Sequence, residues 1–238
     1  MADEIKRLTS EPAVFLLIFL SLLLIKLLTP KELGTEIISV YGLMLLGDFL
    51  LFSFGSDIRS QSGNTAQSLL YAGISLVVLF GLYQGVIYTL RQSILPISAT
   101  QAQLTQSVFQ TIFHSMTRFQ AQEIDLSQFL SFNVYLFGTL IPIMETRVIG
   151  RIYGFVAKLT SINVSDFRSF RNWFLIIAVS ILFMWFHLKV RGINNNIDLA
   201  ITFLFAVVSL FLVGKFRELE SANYTHIGWN TFSLFLGK

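Results

Sequence analysis

Seven stretches of this 238-residue chain are apolar over lengths close to that of a bilayer-crossing helix, and no other feature limits its fold as much. They run from about Ala13 to Leu28, Glu36 to Phe54, Ser68 to Leu90, Phe129 to Leu159, Asn172 to Val190, Ile197 to Phe216 and Ala222 to Leu236. A helix rises about 1.5 Å per residue, so roughly 20 apolar residues cover the hydrocarbon layer. The expected fold is therefore all-α, a polytopic transmembrane helical bundle of about seven spans. Composition points the same way. Hydrophobic residues make up 54% of the chain against 13% charged, with a mean hydropathy of +0.67, outside the range of a soluble domain. The expected location is the cell membrane, as a multi-pass integral protein surrounded by lipid.

The net charge of +3 is the difference between 17 basic and 14 acidic residues spread along the chain, which argues against a nucleic-acid partner. Cysteine is absent, which excludes disulfides, thiolate catalysis and cysteine metal sites. The first apolar run is read as retained. Its leader Met1-Ala2-Asp3-Glu4 is acidic, and no small-residue cleavage site follows Lys26 before Pro30. Between Arg91 and Gln128 the chain turns polar and glutamine-rich, with His114 inside it and with Val108, Ile112, Met116 and Phe119 at helical spacing. That pattern predicts an interfacial or loop helix. Two segments follow: residues 1–128, with three spans and the polar segment, and residues 129–238, with the other four. The basic residues favour a cytoplasmic N-terminus, with Lys6, Arg7, Arg59, Lys158, Arg168, Arg171, Lys215 and Arg217 on that side.

Four polar residues in or at the edge of the later runs carry the chemistry: Glu145, His187, His226 and Asn230. An ionisable group at membrane depth costs about 2.5–3.5 kcal/mol on insertion scales, so a functional cavity is its default explanation. Pro142 lies three residues before Glu145 and offers no amide hydrogen to the carbonyl of Gly138, so the helix is expected to loosen there and admit water. Phe183 and His187 are four residues apart, as are His226 and Asn230, and each pair shares a helical face. Parallel fifth and seventh spans raise a conflict of depth, because His187 is late in its run and His226 early. Asp48, inside the second run, has no evident partner and would suit an ion path.

Ile141-Pro142-Ile143-Met144-Glu145, Phe183-Met184-Trp185-Phe186-His187 and His226-Ile227-Gly228-Trp229-Asn230 together resemble the CPBP family of intramembrane glutamate proteases. That family includes CAAX prenyl-protein endopeptidases and the Abi-like bacteriocin-processing or immunity proteins. The likeness covers about Phe129 to Gly237. The family's first motif is EExxxR; here Thr146 stands in place of the second acid, and Arg151 is one position late. The resemblance implies a peptidase that needs no cofactor, acting on a membrane-anchored or membrane-associated protein or peptide. Glu145 would be the general base, His187 would orient it or its water, and His226 and Asn230 would donate to the oxyanion, with Pro142, Phe183 and Arg151 in support. Two histidines and a glutamate also allow zinc, although no HExxH pair is present. A catalytically inactive immunity or scaffold protein and a transporter are the alternatives from other classes.

Overall fold

In a computed structural model, residues 2–28, 31–54, 57–60, 64–93, 135–190 and 196–236 are described. Residues 94–134, which hold the expected interfacial helix, His114 and the start of the fourth apolar run, lie outside them. Among the described residues the fold is all-helical, with α1 (Ala2–Leu28), α2 (Lys31–Ser53), α3 (Thr65–Ser93), α4 (Ile141–Leu159), α5 (Phe170–Val190), α6 (Asn196–Phe216) and α7 (Glu220–Leu236). Among the described residues, three segments are long and apolar enough to cross a membrane: Thr65–Tyr83, Phe170–Lys189 and Leu199–Phe216. Ile38–Ser53 is a shorter apolar helix. Many large apolar side chains face outward, among them Leu17, Leu27, Val77 and Phe174, each at least 65% exposed.

The fourth run does not form one regular helix. A π-helical turn occupies Leu136–Leu140, and α4 restarts at Ile141 with Pro142 in its first turn. A proline ring cannot complete the preceding hydrogen-bond ladder, and a wider turn accommodates the break.

Helix α4 is the hub, packed against α2, α5, α6 and α7. At about 100° per residue its sequence divides into faces. Ile141 and Met144 join Ile18, Leu22, Ile25 and Leu45 of α1 and α2 in one apolar cluster. Ile149, Tyr153 and Ala157 enter a second cluster built with α3, α5, α6 and α7. The charges of Glu145, Arg147, Arg151 and Lys158 keep α4 from being among the helices apolar enough to span, and Glu145, Thr146, Arg147 and Arg151 are all buried. Its polar groups turn inward.

The arginines face away from Glu145, toward α1 and α2. Arg147 Nη2 lies 3.0 Å from Glu11 Oε2 and 2.7 Å from Asp48 Oδ2, and Arg151 Nη2 lies 2.7 Å from Glu11 Oε1. Arg151 Nε also approaches Asp48 Oδ1 at 3.4 Å and Nη1 donates to the Ile58 carbonyl. Ser60 Oγ accepts from both guanidinium groups and donates to Glu11 at 2.5 Å. Two formal positive and two formal negative charges thus balance inside the bundle. Asp48, for which the sequence offered no partner, is bound by both arginines.

The same short segment after α2 reaches the α6–α7 turn, where Arg59 N donates to the Arg217 carbonyl at 2.9 Å and Leu219 N to the Arg59 carbonyl at 2.7 Å. Arg217 also donates to Asn163 and Ser165 in the α4–α5 loop. The ends of α2, α4 and α6 therefore meet at one pole of the bundle.

Candidate active site

The depth conflict between His187 and His226 is resolved by where α7 begins. A side chain at Gly150 would put its Cβ 2.4 Å from Leu219 Cδ2, so the glycine lets the start of α7 press against the middle of α4. One turn back on α4, Thr146 Oγ1 lies 2.9 Å from Nδ1 of His226, seven residues along from Leu219. The two helices therefore run antiparallel, with Gly150 facing Leu219 and Thr146 facing His226. Helix α5 returns from the loop after α4, so its far end draws level with Glu145. His187 sits there, and its late position in the run becomes the correct one.

Glu145 is fully buried, and both imidazoles converge on one of its oxygens. His187 Nε2 is 3.7 Å and His226 Nε2 is 3.6 Å from Glu145 Oε2. These separations are just longer than direct hydrogen bonds. Asn230 lies one turn beyond His226 on α7 and is partly buried. Helix α7 also packs on α3, through Trp229, whose ring centroid is 5.0 Å from that of Phe80, and through Gly228 against Leu76.

Aromatic rings wall the imidazoles. The Phe183 ring centroid is 4.2 Å from that of His187 and 6.2 Å from that of His226, edge-on. Phe205 of α6 packs 4.4 Å from His226. Such walls exclude bulk water and strengthen local electrostatics. Phe183 contributes more than its ring, because its carbonyl lies 3.0 Å from His187 Nδ1. A carbonyl only accepts, so His187 carries its proton on Nδ1.

The structure thus brings Glu145, His187 and His226 together, with Phe183 beside them and Pro142 at the break one turn away. Arg151 serves the separate ion cluster. Thr146, noted in the sequence only for replacing an acid, is a direct partner of His226. Glu11 and Ser60 belong to the ion cluster and carry no motif; their only sequence signal is the need of two intrahelical arginines for counter-charges. Among the described residues, no group of three or more His, Asp or Glu side chains is placed to hold a metal ion. No family model, curated protein or solved structure matches the chain, so the likeness to CPBP proteases rests on the three motifs quoted above.

Proposed function

We propose that this chain is a multi-pass membrane endopeptidase of the glutamate type, hydrolysing a peptide bond in a membrane-anchored or membrane-associated substrate. The observation that carries the reading is the approach of two imidazole Nε2 atoms, from different helices, to a single oxygen of fully buried Glu145. Burial of three ionisable groups in one apolar pocket is costly for packing alone. In this reading the seven helices all cross the bilayer, with the pole formed by the ends of α2, α4 and α6 in the cytoplasm. Glu145 is 14 residues from the end of α4, about 21 Å of helix, so the scissile bond is delivered to membrane depth.

Glu145 takes a proton from water as the oxygen attacks the substrate carbonyl, and the same carboxyl returns the proton to the leaving amine. His187, held through Nδ1, orients water and carboxylate. His226 and Asn230 donate to the oxyanion; loss of one such donor typically costs about 2.7–4 kcal/mol of transition-state stabilisation.

The test is Glu145→Gln in vesicles carrying randomised membrane-anchored reporter peptides. Wild-type protein is expected to generate new peptide termini, and the variant, inserted equally well, to generate none. Products from Glu145→Gln at the wild-type rate would eliminate this base. Activity lost on chelation and restored specifically by zinc would assign the chemistry to a metal instead.

A further inference from the structure

We infer that Thr146 is a positioning residue that locks His226 as the Nε2–H tautomer, opposite to the tautomer of His187, so that the two imidazoles face Glu145 with unlike chemistry. The contrast follows from their Nδ1 partners. His187 Nδ1 faces the Phe183 carbonyl at 3.0 Å, a pure acceptor, which fixes the proton on Nδ1 and leaves a lone pair on Nε2 of the neutral ring. His226 Nδ1 faces the Thr146 hydroxyl at 2.9 Å, a group that can donate as well as accept.

Glu145 selects between those options. With both rings neutral, two Nε2 lone pairs 3.6 and 3.7 Å from one carboxylate oxygen would repel it. With Glu145 ionised and the His187 proton on Nδ1, His226 relieves this by carrying its proton on Nε2. Its Nδ1 is then an acceptor, and the Thr146 hydroxyl is the donor. The backbone makes the arrangement rigid. Thr146 follows Glu145 directly on α4, and the close approach at Gly150 holds α7 in the register that places His226 opposite it. A β-branched threonine has few rotamers, which keeps its hydroxyl aimed.

The consequence rests on the peptidase reading given above. His226 then supplies a standing N–H donor for the oxyanion, while His187 offers an acceptor to water. Partners that orient metal-ligating histidines are worth about 10–100-fold in activity, and a loss of that order is expected here.

The experiment is nitrogen NMR of histidine-labelled full-length protein in nanodiscs, where protonated and unprotonated ring nitrogens resonate far apart. The chain has three histidines, so signals are assigned from their loss in His187→Gln and His226→Gln. Wild-type protein is expected to show Nδ1–H for His187 and Nε2–H for His226. A wild-type spectrum with Nδ1–H or a doubly protonated ring at His226 overturns the inference without recourse to any Thr146 variant. Thr146→Val should abolish the single-tautomer signal of His226 and lower kcat about 10–100-fold with KM little changed, and Thr146→Ser should restore both. An unchanged His226 signal in Thr146→Val also overturns it. The two readings fail separately. The expected tautomers in a protein that cleaves nothing would remove the peptidase assignment alone, whereas Glu145-dependent cleavage with the wrong tautomer would remove this inference alone.

Discussion

Replacing Arg151 by Met tests whether the charge cluster joins the first two helices to the helix that carries Glu145. Arg151 is fully buried and meets Glu11 at 2.7 Å, Asp48 at 3.4 Å and Ser60 at 3.1 Å, besides the Ile58 carbonyl. Methionine fills much of the same space but leaves two carboxylates facing one guanidinium. Removing one partner of a buried pair typically costs about 3–5 kcal/mol, because the charge left behind is neither solvated nor balanced. Glu11→Gln should cost a comparable amount with the opposite imbalance, since Glu11 also accepts from Arg147 at 3.0 Å. Combining the two substitutions returns the cluster to neutrality. The double variant should therefore lose less than the two single losses added, by about 0.5–3 kcal/mol. Reversible unfolding in mixed micelles, followed by the fluorescence of Trp173, Trp185 and Trp229, measures all three variants. Additive losses in the double variant, or a single variant within about 1 kcal/mol of wild type, would refute the claim that these charges act as one unit.

Two further outcomes follow from geometry elsewhere. At Gly214 an added Cβ would sit 2.6 Å from the Val164 carbonyl oxygen and 2.8 Å from the Tyr153 hydroxyl, so Gly214→Ala should destabilise by about 1–3 kcal/mol in the same unfolding assay. The control is Gly73→Ala on α3, where nothing lies within 4 Å and the better helix propensity should leave stability unchanged or raised by up to about 1 kcal/mol. Glu218, in the turn between α6 and α7, is pushed above the usual carboxylate range by burial, against hydrogen bonds from Ser221 and the Glu220 amide that favour its ionised form. The folded chain then holds this proton more tightly than the unfolded chain, so Glu218's contribution to stability declines as pH rises above about 4.5 through the raised value. Glu218→Gln should accordingly gain on wild type as pH is raised; a stability difference independent of pH would contradict this.

Much of the helical framework is legible in the chain because each apolar run is long enough for several helical turns and is bounded by polar residues. Boundaries are less so. Helix α1 extends back to Ala2, beyond the run beginning near Ala13, and carries Glu11 buried against the α4 arginines. The fourth run reads as one long span, and only Pro142 signals the π-helical turn that precedes α4.

The site divides in the same way. Glu145, His187 and His226 stand out because ionisable groups are conspicuous in apolar runs, yet their meeting depends on Gly150 admitting Leu219, a contact 69 residues apart in sequence that no spacing rule encodes. The contact of Thr146 with His226 was hidden for that reason: in the sequence Thr146 only replaces an acid, and the register of α7 brings an imidazole against it. Glu11 and Asp48 were hidden differently. Each looks isolated when its own helix is read alone, and Arg151 looks like the displaced arginine of a motif. Charge balance across spans would have joined them, since two arginines buried in one helix require two acids from others, and Glu11 and Asp48 lie at or inside the first two runs. The useful unit for reading such a chain is therefore the sum of buried charge over all its helices. By that measure the chain separates into a neutral four-charge cluster that ties α4 to α1 and α2 and a carboxyl–imidazole group on its opposite side.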